Sequence, residues 1–422
     1  MSPQLVFIAV LLLVMQLFVP KKWAFVPILI AACHTSNVPV VSDFTTIRIV
    51  ILAGLLRAIL KNNLNFSLRN FFDRIILLFC LFILISAVGH DPKWGNPYMF
   101  RLGFVLNILG TYLYFKSFLL NIDDWKTFQI ALAYILLPLA GMMLYEYATQ
   151  TNPYRVLGAR QDFALVRGGD VRAQGPFGGP ILAGTAGAVS LPLIIPLFFH
   201  RKNLAMAGLI ACVSIIFVSS SSGPIGTLFV ALASLFLWKH RLKLRVIAYS
   251  LVIFLFLIEL ATTRPVWHLI ARIDFTGGST GWHRSALIDA AIAHIGDWWL
   301  IGTDITRHWM PYALHSVPNH SDLTNYFIHI GVIAGILPVI LLSLAIYKCL
   351  YFFANQSIVC ENSESRFTYW TIWSALFAQL VTFLTISYYD QMFVFFYVLF
   401  SFASNLQASQ PQPNLTPLKL SS

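Results

Sequence analysis

The chain has 422 residues, of which 58% are hydrophobic and only 11% are charged, and its mean hydropathy is +0.74. Because a soluble domain carries about 25% charged residues, this composition excludes a water-facing surface of the ordinary kind. The net charge of +11 does not indicate a nucleic-acid partner, since Lys and Arg collect in short loops between apolar runs. The composition therefore predicts an all-α polytopic membrane protein in contact with membrane lipids.

Apolar runs follow one another along the chain, and most have the roughly 20 residues that a membrane-spanning helix needs. They lie near 4–19, 23–40, 45–60, 74–89, 98–119, 126–147, 179–199, 203–219, 222–239, 244–262, 326–348, 369–387 and 390–406. The second and third runs are short or interrupted and are compatible with re-entrant segments. The expected number of transmembrane helices is therefore twelve or thirteen. The first run lacks a basic region before it and a small-residue cleavage site after it, which indicates a retained helix.

Basic residues predict the orientation of these helices. Four short basic connections fall on one side by alternation, and they lie at 21–22, 57–74, 200–202 and 239–245. The positive-inside rule makes that side cytoplasmic. The two long connections, about 148–178 and 263–325, then face the periplasm of a bacterium. Residues 1–406 are expected to form one domain in the inner membrane, and the Pro/Gln/Ser-rich residues 407–422 a disordered tail.

The first long connection is rich in arginine. It carries Arg155, Arg160, Arg167 and Arg172 against Asp162 and Asp170. The positive-inside rule predicts few basic residues in a periplasmic connection, so this excess of arginine needs a local reason. The planar guanidinium fork suits a lipid diphosphate at the membrane surface. Arg172 is the strongest candidate, because a Gly/Pro-rich turn at 175–180 follows it and leads into a helix. Contact with lipid headgroups, or salt bridges to the two aspartates, is the alternative.

The second long connection carries most of the candidate catalytic residues. Ser279 or Thr280 can cap a helix. This cap would place His283 and Arg284 in the first turn, where the helix dipole favours an anion. A helix-like stretch at 285–299 follows.

Further polar residues, Asp304, Asn319, His320 and Asp322, stand near the start of the next apolar run. His320 is a candidate general base, because histidine titrates near neutral pH. Asp304 or Asp322 is an alternative base, and an interfacial histidine bonded to a loop carbonyl is the structural alternative. The chain has no HxH, HExxH or CxxC pattern, so we expect no metal and no cofactor in the mechanism.

Residues 170–345 resemble the O-antigen ligase and O-antigen polymerase family of bacterial membrane glycosyltransferases. The resembling elements are a Gly-Pro-Phe-x-x-Pro turn (175–180), a Ser-rich turn that opens a span (219–223), Arg284 after a Gly/Ser-rich segment, a Trp-Trp-Leu-Ile-Gly element (298–302) and a His-x-x-Leu element (320–323) followed by Gly331 and Gly335. The resemblance implies transfer or polymerisation of a glycan carried on undecaprenyl diphosphate, at the periplasmic face and without metal or nucleotide sugar. The acceptor would be a glycan or a lipid, and other polysaccharide-assembly proteins are possible partners.

By the same analogy, Arg284 would neutralise the leaving diphosphate and His320 would orient or deprotonate the acceptor hydroxyl. The residues expected to bind the diphosphate or glycan are Arg172, Arg167, His283, Asp304, Asn319 and Asp322. Family ligases commonly have an arginine in the Ser-rich turn, whereas residues 219–222 are four serines. Either Arg172 supplies that charge or the site differs, which favours an exopolysaccharide polymerase or ligase-like protein. A transporter or flippase for a polysaccharide precursor, or a non-catalytic subunit of an exopolysaccharide export system, is the alternative.

Overall fold

The computed structural model describes residues 2–272, 281–311 and 319–409, which are mostly helical. The α-helices are α1 (Pro3–Phe18), α2 (Val26–His34), α3 (Thr46–Leu60), α4 (Phe71–Ser86), α5 (Pro97–Val105), α6 (Thr111–Phe118), α7 (Ile122–Thr149), α8 (Pro180–Ile194), α9 (Lys202–Val218), α10 (Ser222–Phe236), α11 (Leu244–Ala261), α12 (Gly281–Ala293), α13 (Ile295–Trp298), α14 (Tyr326–Ala334), α15 (Ile336–Val359), α16 (Ser363–Thr382) and α17 (Met392–Ser409). Two antiparallel hairpins pair β1 (Pro39–Val41) with β2 (Phe44–Thr45) and β3 (Leu165–Arg167) with β4 (Asp170–Arg172).

The helical membrane character predicted from composition is confirmed. Six helical segments are long and apolar enough to cross a membrane: Phe71–Gly89, Ile122–Thr149, Pro180–Phe199, Ser222–Ala261, Ile336–Val359 and Met392–Ser409. Every residue of α11 is at least partly exposed, and its Tyr249 and Leu260 are each 69% exposed. Soluble proteins rarely expose an apolar surface of this extent, whereas lipid-facing helices do so by necessity.

Asparagine side chains begin several of these helices. Asn70 accepts hydrogen bonds from the backbone N–H groups of Phe72 and Asp73 at the start of α4. Asn121 does the same for Asp123 and Asp124 at the start of α7. These caps satisfy N–H groups that the first helical turn leaves unpaired, which explains why both helices begin directly after an asparagine.

Polar contacts among the short connections define what we call the basic end of the bundle. Lys21 Nζ donates to Asn63 Oδ1 at 2.9 Å, so the connection after α1 meets the one after α3. Lys126 lies 3.1 Å from Glu364, and His200 contacts the same carboxylate. The starts of α7 and α16 and the end of α8 therefore meet at one end.

The opposite end, which we call the loop end, carries the connections 150–179 and 262–325. Ser2, the residue before α1, donates from its Oγ to the carbonyl oxygen of Val156 at 2.6 Å. The start of α1 therefore lies at the same end as the first long connection.

Several predicted boundaries differ from the observed ones. The run near 326–348 is divided at Gly335, whose φ is +87° and whose position leaves no room for a side chain beside the carbonyl oxygen of Leu300. The run near 23–40 yields only the nine-residue α2, followed by the β1–β2 hairpin. Residues 407–409, predicted to belong to a disordered tail, extend α17. Residues 410–422 lie outside the described residues.

A small apolar core supports the second long connection. Leu287 and Ala291 of α12 pack with Trp298, Trp309 and Met310, and all five side chains are buried. The helix that carries Arg284 is therefore anchored by its own apolar face. As predicted, His283 and Arg284 lie in the first turn of α12; the proposed caps Ser279 and Thr280 lie outside the described residues.

Candidate functional site

A histidine–aspartate pair joins the connection after α4 to the segment after α13. His90 Nδ1 lies 2.5 Å from Asp304 Oδ1, and the backbone N–H of Asp91 donates to Asp304 Oδ2 at 2.9 Å. On the other side of the ring, His90 Nε2 lies 2.9 Å from the carbonyl oxygen of Ile301, which can only accept. Nε2 therefore donates to this carbonyl oxygen, and both carboxylate oxygens of Asp304 have a partner. The pair holds Asp304 in one orientation.

His320 lies close to this pair. Its Nδ1 is 3.2 Å from Thr306 Oγ1, which also accepts a hydrogen bond from the backbone N–H of Ser321 at 3.1 Å. Among the described residues, no hydrogen bond is observed to the second ring nitrogen, Nε2. Burial lowers the pKa of His320, Asp304 opposes the shift and His90 adds to it. A lowered pKa keeps the imidazole neutral at pH 7, as a general base requires.

A cavity of about 750 Å³ opens beside His320 at the loop end. Four sequence-predicted residues line it: Asp304, Asn319, His320 and Asp322. The volume falls within the range of small-molecule sites, which is about 300–1,000 Å³. The cavity is thus large enough for a sugar unit, with the candidate base in its wall.

Arg284 and Asp322 form a buried, oppositely charged neighbourhood behind this wall. Burial lowers the pKa of the Arg284 guanidinium, while Asp322 raises it and Arg167 lowers it. Burial raises the pKa of Asp322, and the charges of His283 and Arg284 oppose that shift. His283 Nε2 donates to the carbonyl oxygen of Asp322 at 2.9 Å. Asp322, in the segment before α14, therefore contacts the first turn of α12 in two ways. Its carbonyl oxygen accepts a hydrogen bond from His283, and its carboxylate interacts electrostatically with Arg284.

Arg172 occupies the Ser-rich turn that the sequence leaves without an arginine. Its Nη2 donates to Ser221 Oγ at 2.5 Å, across 49 residues of chain. Burial lowers the pKa of Arg172, and the neighbouring Arg167 lowers it further while Asp170 raises it. The hairpin β3–β4 positions this guanidinium, since Arg172 pairs with Leu165 at its open end.

Arg167 lies near both Arg172 and Arg284, because its positive charge lowers the pKa of each. Arg167 itself is exposed. Three guanidinium groups, two of them partly or fully buried, therefore share one region of the loop end. Such a cluster is suited to a doubly charged phosphate ligand.

The predicted site residues thus fall into two neighbouring groups. Asp304, Asn319, His320 and Asp322 line the cavity. His283 contacts Asp322, Arg284 interacts with its charge, and Arg167 lies near Arg284 and Arg172; none of these four lines the cavity. Asn319 contributes through its backbone, since its carbonyl oxygen accepts from the N–H groups of Thr306 and Arg307. Asp322 is the residue common to both groups.

Sequence reasoning missed several residues of the cavity wall, including His90, Arg101 and Tyr389, and it named Arg160 only as one of four arginines in the first long connection. Arg160 Nη2 lies 3.1 Å from Asp390 Oδ1, and its guanidinium lies 6.0 Å from the centre of the Tyr389 ring. Asp390 is the single acid in the last two apolar runs and stands at the start of the second of them, and the His-Asp pair at 90–91 lies between two other runs. Isolated polar residues at such junctions are the signal that could have identified them.

Arg101 is a buried wall residue with three hydrogen bonds. Its Nη2 donates to the carbonyl oxygen of Ile333 at 2.7 Å and its Nε donates to Ser86 Oγ at 2.9 Å; the third bond, from Nη1, goes to the Pro97 carbonyl oxygen at 3.3 Å. These bonds join α4, α5 and the end of α14 beneath the cavity. Arg101 therefore has a structural role that its charge alone did not reveal.

No protein-family model, curated protein or solved structure matches this chain. The resemblance over residues 170–345 and the geometry of the loop end are therefore the two sources of a functional interpretation.

Proposed function

We propose that this chain is a metal-independent membrane glycosyltransferase of the O-antigen ligase and polymerase type. Its donor is a glycan on undecaprenyl diphosphate, and its product belongs to a cell-surface polysaccharide such as an O-antigen or exopolysaccharide. The observation that carries the proposal is the adjacency of a neutral histidine in a cavity and a cluster of arginines, joined by Asp322. A glycosyl transfer from a diphosphate needs both a base and fixed positive charge.

In the proposed reaction, the acceptor hydroxyl gives its proton to His320 Nε2 as its oxygen bonds to the anomeric carbon of the donor sugar. The bond between that carbon and the diphosphate oxygen breaks, and undecaprenyl diphosphate leaves with the electron pair. Arg284 and Arg172 stabilise the charge that develops on the leaving oxygens, and Arg167 draws the anion to the site. Asp304, Asn319 and Asp322 orient the sugar, and His283 fixes the position of Asp322.

In the proposed topology, the loop end faces the periplasm and the basic end faces the cytoplasm of a bacterial inner membrane. The basic connections at 21–22, 200–202 and 239–245 support this orientation. Among the described residues, six apolar segments are long enough to span the membrane and two shorter apolar helices, α1 and α9, are further candidates; the twelve or thirteen spans expected from the sequence stay a prediction. Undecaprenyl-linked glycans are assembled into surface polymers on the periplasmic face, where this site would meet them.

The direct test replaces His320 or Arg284 by alanine in cells that depend on this chain for polymer. Loss of the base or of the leaving-group charge is expected to lower transfer by about 100-fold or more. Arg264→Ala and His268→Ala are matched controls, because both residues lie in the same long connection but outside the cavity. Their polymer should be normal. Unchanged polymer length and attachment in both His320→Ala and Arg284→Ala, at normal protein levels in the membrane, would refute the proposal.

Deletion of the chain distinguishes the alternatives. Accumulation of carrier-linked polymer indicates a ligase, and accumulation of single carrier-linked repeat units on the periplasmic face indicates a polymerase. A precursor flippase predicts instead that lipid-linked units remain on the cytoplasmic face, and that vesicles with this protein alone translocate them. A non-catalytic assembly subunit predicts that the His320→Ala variant supports normal polymer while the deletion does not.

A further inference from the structure

A second cluster of histidines lies at the loop end, outside the cavity. His294 stands between α12 and α13, Asp297 follows one helical turn later, and His308 belongs to the 3₁₀ turn Arg307–Trp309. Asp297 Oδ2 lies 3.0 Å from His308 Nε2 and 3.4 Å from His294 Nδ1. One possible ligand atom from each residue lies within 4.8 Å of the other two.

These separations suit a small divalent cation. Bonds of about 2.0–2.1 Å at tetrahedral angles put neighbouring ligand atoms about 3.3 Å apart. The two contacts of Asp297 already match this spacing, and rotation of an exposed imidazole closes the third. The side chains of His294, Asp297 and His308 are 36%, 40% and 51% exposed, so water has access to a fourth position. Two imidazoles, one carboxylate and one water form a ligand set typical of Zn²⁺.

Trp309 organises the three side chains. Its ring lies parallel to that of His294, with 5.8 Å between the ring centres and 7° between the planes. Its Nε1 donates to Asp297 Oδ2 at 3.2 Å. Trp309 is itself only 6% exposed, and it packs against Leu287 and Trp298. The three side chains are therefore held by buried, packed residues rather than by a free loop. This reduces the loss of side-chain freedom that metal binding requires.

The carboxylate of Asp297 keeps polar partners when no cation is bound. Its Oδ2 accepts hydrogen bonds from His308 Nε2 at 3.0 Å and from Trp309 Nε1 at 3.2 Å. The arrangement of the cluster therefore does not depend on a bound cation.

We propose that His294, Asp297 and His308 bind one divalent transition-metal cation, with Zn²⁺ as the best match, at a structural site separate from the cavity. The cation joins the α12–α13 junction to the turn Arg307–Trp309. Thr306, which contacts His320 Nδ1, directly precedes that turn. The bound metal thus fixes the segment that orients His320, while the transfer step itself needs no metal.

The experiment uses the full-length protein, purified in lipid nanodiscs and freed of metal with a chelator, and titrates it with Zn²⁺ alone by calorimetry. We expect one tight site per chain, with affinity reduced at least about 10-fold in His294→Gln and His308→Gln. Glutamine keeps much of the side-chain volume, so a normal elution profile will show that the variants are folded. No tight site in the unaltered protein, or undiminished binding in both variants, would overturn the proposal.

His268→Ala is the matched control. His268 Nε2 lies 2.8 Å from Asp289 Oδ2, so this pair in the same connection resembles the His308–Asp297 pair but belongs to no cluster of three among the residues that the structure describes. Its loss should leave Zn²⁺ affinity unchanged. The absorption spectrum of the Co²⁺-loaded protein distinguishes the proposed site from a site formed by any of the five cysteines. Nitrogen and oxygen ligands produce no thiolate charge-transfer band. Such a band on the tight site would assign the metal to a cysteine and contradict the proposal.

Discussion

Exchange of two side chains tests the proposal that Arg172 provides the charge that O-antigen ligases commonly carry in a Ser-rich turn. Arg172 Nη2 lies 2.5 Å from Ser221 Oγ, so an arginine at either position can direct its guanidinium to the same place. We expect Arg172→Ala to impair transfer strongly. We expect the double variant Arg172→Ser with Ser221→Arg to recover much of the lost activity, since it moves the charge from the hairpin to the turn.

The magnitude follows from the contacts of Arg172. Its guanidinium is partly buried and would make charge-assisted hydrogen bonds to the diphosphate, each worth about 1.5–3 kcal/mol. Removal of one such interaction from the transition state lowers kcat/KM by about 10- to 150-fold. The kcat/KM of Arg172→Lys should lie between that of the unaltered protein and that of Arg172→Ala, because an ammonium keeps the charge but cannot bind two phosphate oxygens in one plane. Arg167→Ala should have a smaller effect, because Arg167 is exposed and its interactions are screened.

The assay follows transfer of a labelled glycan from undecaprenyl diphosphate to the acceptor fraction by purified protein in nanodiscs. Arg264→Ala serves as the control for loss of a positive charge from an exposed position of the loop end. Because Ser221 is only 2% exposed, its replacement by arginine alone is expected to crowd the turn, and only the double variant vacates space for it. The reasoning fails if Arg172→Ala retains full activity, or if the double variant folds normally and is no more active than Arg172→Ala.

Two further predictions concern the segment that carries Asp304. The carboxylate of Asp304 raises the pKa of His320, so Asp304→Asn should move the acidic limb of the pH profile of kcat/KM to lower pH; an unmoved or upward-shifted limb would contradict this. Gly302 has φ +93°, and a Cβ there would lie 2.2 Å from the carbonyl oxygen of Val332. Gly302→Ala should therefore displace the segment and reduce thermal stability and activity together, whereas Gly296→Ala, which meets open space, should change neither.

The helical fold was predictable because its signal is local. Apolar runs and the basic connections between them report helices and their ends without knowledge of any distant contact. The β3–β4 hairpin was not predicted, although Gly168-Gly169 between two strand-like triplets is a known hairpin turn signal. Both glycines have positive φ, at 62° and 92°, as such a turn requires. The arginine content of that segment indicated phosphate binding, and this interpretation did not use the turn signal of Gly168-Gly169.

The candidate site was predictable only in part, because its contacts join distant parts of the chain. Arg284 and His320 were identified from short motifs, and both lie where the loop end concentrates polar groups. The His90–Asp304 pair spans 214 residues, and no spacing rule connects its members. The His294, Asp297 and His308 cluster escaped for a related reason: only the first two have helical spacing, and the third comes near them through the packing of Trp309.

The base and the arginines of the proposed site depend on one short stretch of backbone. Thr306 donates its N–H to the carbonyl oxygen of Asn319 at 3.0 Å, and Ser321 Oγ donates to the carbonyl oxygen of Thr306 at 3.1 Å. Asp322 in turn holds His283 through its carbonyl oxygen. Any displacement of residues 319–322 therefore moves His320 relative to the cavity and changes the charge next to Arg284 at the same time. This coupling explains how groups from separate elements can keep the fixed spacing that a base and a leaving-group site require.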